Sequence, residues 1–187
     1  MPDTRRAWES PGGITVRLID FDKTILEEEE WQFVDFIRDW FLVDLTMPTL
    51  QDMADHQELP IAACQKLTVT IRKKTGLEFP YQIPFLKNDG TETRFVPFIP
   101  IKKEFLKNRF YKEKPIWPNR EEEILRATRD QFFQKLTVPT WKDIDRLMGR
   151  KDSLKGYYAE QFRMKAGVSR LYQLPFLPLN DQCPPAP

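Results

Sequence analysis

The sequence predicts an all-α protein made of two tandem three-helix bundles, each closed by an extended C-terminal strap. Three observations lead there. Residues 30–86 and 121–177 align without a gap at a constant offset of 91 (121 − 30), and seventeen of the 57 aligned positions are identical, which marks a duplicated module. Within each copy, apolar residues recur at helical spacing in three stretches separated by proline or glycine. Each copy then ends on Tyr-Gln-(Ile/Leu)-Pro-Phe-Leu, at 81–86 and 172–177, where a proline opposes α-helix and the apolar residues need cover. That segment reads as a strap laid on the bundle in preference to a linear motif for a partner.

Helix one of the first copy carries Phe33, Val34, Ile37, Phe41 and Leu45 behind the acidic run Glu27 to Glu30, which suits a helix N-terminus. The second copy repeats it with Ile124, Leu125, Thr128, Phe132 and Leu136 behind Glu121, Glu122 and Glu123. Thr46-Met-Pro-Thr49 and Thr137-Val-Pro-Thr140 then break the chain, and Thr49 and Thr140 are placed to cap a short second helix, about 49–57 and 140–148. After turns at Glu58-Leu59-Pro60 and Gly149-Arg150-Lys151, a third helix runs to Lys74 or Lys165 and stops at Gly76 or Gly167. Its inward stripe is read as Ala63, Leu67 and Ile71 in copy one, and as Leu154, Tyr158 and Phe162 in copy two.

The expected organisation is a disordered N-terminus at 1–13, a first module at 14–86, a basic aromatic connector and arm at 87–118, a second module at 119–177 and a disordered tail at 178–187. In the connector, Lys87-Asn88-Asp89-Gly90 signals a turn, and Arg94 to Ile101 is apolar enough to dock. Lys102, Lys103, Lys107, Arg109, Lys112 and Lys114 follow, interleaved with Phe105, Phe110 and Tyr111.

Composition narrows the class. With 41% hydrophobic and 30% charged residues the chain reads as globular, and no apolar run approaches the roughly 20 residues that span a bilayer, so no membrane is expected. Cys64 and Cys183 make no disulfide framework, which points to a reducing compartment. A single histidine, His56, excludes a histidine-rich metal site and reads as a helix-surface residue. No cofactor is expected. The net charge of +1 hides an uneven distribution: residues 28–86 carry 5 basic and 10 acidic side chains, residues 87–118 carry 8 and 4, and residues 119–177 carry 12 and 8. A polyanion should meet the second half first.

The second copy resembles Myb/homeodomain-type helix-turn-helix domains. The likeness rests on Trp117-Pro-Asn-Arg-Glu121-Glu122-Glu123-Ile124-Leu125, on Trp141 opening helix two, and on Ser153-Leu154-Lys155-Gly156-Tyr157-Tyr158 opening helix three. Trp117, Trp141 and Tyr158 would be one core residue per helix, and Leu26, Leu50 and Leu67 stand at those positions in copy one. The interval from Trp117 to Trp141 is longer than usual for Myb domains. The opening of helix three is most similar to the repressor-activator class of double-stranded telomere-binding proteins. The resemblance implies a third helix in the major groove and an arm before helix one reaching the minor groove.

Carried over residue by residue, it makes Lys155, Gly156, Tyr157, Glu160 and Arg163 the outward face of the second copy, with Arg150, Lys151 and Lys165 near phosphates. The equivalent face of the first copy is Cys64, Gln65, Lys66, Val69 and Arg72, followed by Lys73 and Lys74. The candidate DNA-binding set is Gln65, Lys66, Arg72, Lys73, Lys74, Lys112, Lys114, Arg150, Lys151, Lys155, Tyr157, Arg163 and Lys165.

One stretch imitates an enzyme. Asp20-Phe21-Asp22-Lys23-Thr24 matches the Asp-x-Asp-x-Thr signature of haloacid-dehalogenase-type phosphatases. That fold needs several buried parallel strands, and this chain passes straight into a helical repeat, so no enzyme is expected. The expected function is binding of double-stranded DNA in the nucleus, with telomeric direct repeats as its sharpest version. The alternative is a SANT-like interaction module of a chromatin or telomere complex, its first copy binding protein instead of DNA.

Overall fold

The computed structural model describes residues 12–88, 91–112, 115–149 and 155–183, and for 108–112 and Lys155 it describes the backbone alone. The chain is mostly helical with a small two-stranded sheet. Its contacts divide it into one unit of Thr15–Phe95 and another of Val96–Pro187 with the residues before Thr15.

Strand β1 (Gly13–Arg17) leads into the first unit, which continues with a 3-10 turn at Lys23–Ile25, then α1 (Glu28–Asp44), α2 (Leu50–Gln57) and α3 (Ile61–Thr75), and closes on a 3-10 helix at Pro80–Phe85. Strand β2 (Thr93–Pro97) pairs with β1. The second unit contains α4 (Lys103–Lys112), α5 (Asn119–Lys135), α6 (Trp141–Leu147) and α7 (Lys155–Ala166), then 3-10 helices at Leu171–Phe176 and Asn180–Gln182.

Local chemistry sets the helix ends, and it does so twice. Thr49 caps α2 by accepting from the Asp52 amide at 3.1 Å, and Asp52 returns a carboxylate to the Thr49 amide at 2.7 Å. Thr140 and Asp143 repeat this at 3.2 and 3.0 Å on α6. Gly76 and Gly167 terminate α3 and α7 at φ of 73° and 71°, left-handed values that suit glycine. Leu45 and Leu136 end α1 and α5 at φ of 54° and 51° despite being leucines. The left-handed backbone costs about 1–2 kcal/mol, and burial of the Leu45 side chain returns a comparable amount, about 2 kcal/mol.

The closing segments are 3-10 helices, which corrects the expectation of an extended strap. Proline's fixed φ fits a 3-10 turn, and only its amide is lost. Gln82 supplies the N-terminal cap, its Oε1 accepting from the Glu78 and Phe79 amides at 3.0 and 2.8 Å. Gln173 does the same for Ser169 and Arg170 at 3.1 and 3.0 Å. Packing of the segment on helix one is as the sequence suggests: Phe41 meets Phe85 edge-on at 5.5 Å, and Phe132 meets Phe176 at 5.3 Å.

A buried arginine anchors each of these turns. Arg38 donates from Nε to the Pro84 carbonyl at 3.2 Å and from Nη2 to the Leu86 carbonyl at 2.7 Å. Arg129 donates from Nε to Pro175 O at 3.1 Å, from Nη1 to Gln182 Oε1 at 2.7 Å, and from Nη2 to Leu177 O. Its guanidinium also lies over the Phe98 ring, 5.4 Å from the centroid. Burial pushes the Arg129 pKa down to about 10, so it stays charged at neutral pH.

Several other expectations change. The tail is ordered through Cys183: the Trp117 indole donates to Pro178 O at 2.8 Å, its amide donates to Asn180 Oδ1 at 2.9 Å, and Leu179 is buried. Residues 1–11 and 184–187 of the expected disordered ends lie outside the described residues, as do Asp89 and Gly90 of the turn, while Gly13 already belongs to β1. The connector carries β2 and α4, and Ile99 and Ile101 are buried in the second unit. The triad of core leucines fails at Leu50, which is 37% exposed, and Trp141 is half-buried.

Replacing Arg129 by Met should lower stability by about 3 kcal/mol, because two buried carbonyls lose their donors. A urea unfolding curve with unchanged slope and a lower midpoint would show it. A loss below about 0.5 kcal/mol would mean the anchor contributes only what an average surface contact does.

Candidate nucleic-acid interface

The third helix buries one face in each copy, but the first copy's inward face is rotated from the expected one. Cys64, Thr68 and Ile71 are its buried residues, and Cys64 is 0% exposed, so it leaves the outward set. The reason is positional: α3 starts at Ile61 behind Pro60, and the first turn places Cys64 in the core that holds Phe33 and Ile37. Gln65, Lys66 and Lys73 are exposed, with Val69 at 39%.

Arg72 is half-buried and donates from Nη2 to the Glu78 carbonyl, closing the turn after α3. Lys74 is ion-paired with Glu30 at 2.8 Å and with Glu27 at 3.7 Å. Its pKa is raised, chiefly by the hydrogen bond to Glu30.

On α7 of the second copy, Tyr158 and Phe162 point inward and are 3% and 1% exposed. Gly156, Tyr157, Glu160 and Arg163 are exposed, as expected. Arg163 forms a two-pronged pair with Glu160, Nε to Oε2 at 3.0 Å and Nη2 to Oε1 at 2.6 Å. That pairing holds the Arg163 pKa above its ordinary value and the Glu160 carboxyl below its own. Both side chains are well exposed, 62% and 47%, so water and salt weaken the pair and a competing acceptor can displace it.

Lys165 is placed otherwise. It is 9% exposed, donates to Glu121 Oε2 at 2.7 Å and to Ile116 O at 2.8 Å, and sits 5.2 Å from the Trp117 ring centroid. It is the counterpart of Lys74, and the lysine–glutamate pair ties the end of the third helix to the start of the first in both copies. Arg150, Lys151 and Lys114 lie outside the described residues, as does Leu154 of the expected inward stripe, and of Lys112 and Lys155 only the backbone is described.

Sequence reasoning missed Ser169 and Arg170. They line a small cleft with Trp141, Glu160 and Arg163, so the exposed edge of α7 continues into the turn after Gly167. Both residues follow the glycine that stops the helix, where apolar periodicity no longer assigns a face. Burial of Val168 sets the direction of the chain there and leaves Ser169 and Arg170 exposed.

The apparent phosphatase motif is a turn. Asp22 Oδ1 accepts from the Thr24 amide at 3.0 Å and its hydroxyl at 2.7 Å, which caps the 3-10 turn at Lys23–Ile25 and holds the Asp22 carboxyl below its ordinary range. Among the described residues no group of three or more His, Cys, Asp or Glu could hold a metal ion, and no helix is long and apolar enough to cross a membrane. Comparison with family models, curated proteins and solved structures finds no match.

Lys165→Met should lower stability by about 3 kcal/mol, since it strands Glu121 as a buried unpaired carboxylate. Adding Glu121→Leu to it should recover most of that loss. A Lys165→Met protein of unchanged stability but weaker DNA binding would instead return Lys165 to the phosphate-contacting set.

Proposed function

We propose that the chain binds double-stranded DNA through a helix-turn-helix in its second module, with α7 entering the major groove. The observation that carries this reading is Arg163. Of the two arginines the duplication kept on the third helices, Arg72 is committed to the Glu78 carbonyl, while Arg163 stands exposed in a pair that a base edge can replace. A guanidinium on an exposed helix face can take guanine N7 and O6 together. Tyr157 on the same helix is 55% exposed, and the excess of 12 basic over 8 acidic residues in 119–177 supplies attraction to phosphate.

The reading extends to directly repeated sites, of which telomeric arrays are the sharpest version, and to a nuclear location. For the first module a protein-binding role of the SANT-like kind is favoured. Residues 28–86 carry 10 acidic against 5 basic side chains, and Lys74 and Arg72 are already engaged within the fold.

The test is a selection of duplexes from a random pool with the whole chain, followed by titration of variants at two salt concentrations. Arg163→Ala should lose about 1–3 kcal/mol on the selected sequence and discriminate poorly between bases. Glu160→Gln should bind all duplexes more tightly, because it frees Arg163 and removes an anion from the face. Lys66→Ala, on the first module, should change affinity little. If Arg163→Ala leaves both affinity and base preference intact, α7 is not the reading helix.

A further inference from the structure

Helix α1 carries two apolar stripes, and the fold fully buries one, while of the other Phe36 packs in part against the core. The inner stripe, Phe33, Val34, Ile37 and Phe41, is at most 1% exposed. The outer stripe runs through Phe36, Trp40 and Val43, at the spacing that puts residues on one helix face. Val43 is 68% exposed, and Phe36 and Trp40 are only partly covered.

His56 of α2 extends this stripe, its ring stacked on Phe36 at 4.0 Å and 11°. Trp40 meets Phe36 edge-on at 5.9 Å, and its indole N–H, shielded from solvent, has no acceptor among the described residues. The result is a shallow groove of about 650 Å³ along α1 and α2. Carboxylates rim it: Asp35 is held by Arg38, whereas Asp39 and Asp44 have no ion pair among the described residues.

The duplicate shows that the scaffold does not require this face to be apolar. At the same positions on helix one, 91 further on, the second copy has Arg126, Ala127, Asp130, Gln131, Gln134 and Lys135, and in place of His56 it has Leu147, 66% exposed. Arg126, itself well exposed, pairs along the helix with Glu122 at 2.7 Å, and Glu122 also accepts from the Asn180 side-chain amide. Phe36, Trp40 and Val43 are therefore a property of the first copy alone. A helix with two apolar faces is expected to be covered on both, and aromatic side chains are the residues that protein interfaces use as anchors.

We propose that this groove docks a basic amphipathic helix from a partner protein. Its apolar side chains would lie on Phe36, Trp40 and Val43, and its lysines or arginines would meet Asp39 and Asp44. Charge complementarity selects this occupant: the groove's open carboxylates sit on a segment with 5 basic and 10 acidic residues, which repels DNA and acidic peptides and attracts cations. A cation over the Trp40 or Phe36 ring gains further. The proposal rests on the protein-binding reading of the first module, which it deepens, and is independent of the DNA reading of the second.

The probe is a fluorescently labelled lysine–leucine peptide designed as an amphipathic helix, with a glutamate–leucine peptide of the same pattern beside it. Both are titrated into the whole ¹⁵N-labelled chain. The lysine peptide should bind saturably and move the Trp40 indole N–H signal, and the glutamate peptide should not bind. Asp39→Lys combined with Asp44→Lys should weaken the lysine peptide by about tenfold or more, and Val43→Glu should reduce its binding as well. Duplex DNA affinity should not fall in these variants.

No saturable binding, equal binding of the glutamate peptide, an unmoved Trp40 signal, or variants that bind as the wild type does would each overturn the proposal. So would a matching loss of DNA affinity, since the groove would then belong to the DNA path. Indifference of DNA binding to Arg163→Ala would overturn the DNA reading alone.

Discussion

The interaction on which each module depends is the buried guanidinium under its closing turn. A proline-containing 3-10 turn leaves carbonyls at Pro84 and Leu86, or Pro175 and Leu177, pointing into the module instead of along a helix. An unpaired buried carbonyl costs about 1–3 kcal/mol. A planar fork with donors on separate nitrogens reaches two carbonyls two residues apart, which one ammonium cannot do as well. Arginine therefore stands at 38 and 129 although burying its charge is itself expensive. With the turn anchored, Phe85 and Phe176 are pressed onto helix one, and the lysine–glutamate pair clamps the C-terminal end of the third helix to the start of helix one.

The anchor also explains why the duplication kept what it kept. Glu30 with Lys74, Arg38, Phe41 with Phe85, the Thr49–Asp52 box, Gly76, Gln82 and Pro84 are all identities, and each plays the same part in both copies. Identity between the copies is thus a record of the scaffold. Arg72 and Arg163 are the instructive exception, because the same residue closes a turn in one copy and stands on the surface in the other. What distinguishes the two modules has to be sought where the copies differ, and the outer faces of helix one and helix three are where their chemistry diverges.

Helix positions and ends are legible in the sequence because their signals are local: apolar spacing, Thr-x-x-Asp boxes and a stopping glycine. Leu45 in left-handed backbone is not, since leucine normally argues against it, and burial of its side chain with the hydrogen bond from its amide to Phe41 O offsets the cost. The 3-10 form of the closing turn is hidden for a related reason: a proline reads as helix-opposing, and the compensating donor lies 46 residues away at Arg38. Phasing the third helix of copy one from its leucines turns Cys64 outward, whereas the first turn after Pro60 decides which residue faces inward. Of the candidate site, the exposure of Tyr157 and Arg163 is readable from spacing, but the burial of Lys165 is not, because a lysine near a helix end is usually solvated.

The gap-free repeat also understates the module. Ile19 donates its amide to Phe85 O at 2.7 Å, and Ile99 donates to Phe176 O at 2.7 Å. Since Phe85 and Phe176 are equivalent, so are Ile19 and Ile99, at an offset of 80 (99 − 19) instead of the 91 (176 − 85) that relates the two phenylalanines. The difference of 11 residues (91 − 80) falls between Ile99 and Trp117, where α4 lies. An extended segment before helix one therefore belongs to both copies, and the second carries a basic helix within it. The consequence is energetic. A bundle of about 60 residues is marginal alone, and the preceding segment and closing turn enlarge its core from both ends, so removing residues 96–101 takes away buried Ile99 and Ile101 and not merely a tether.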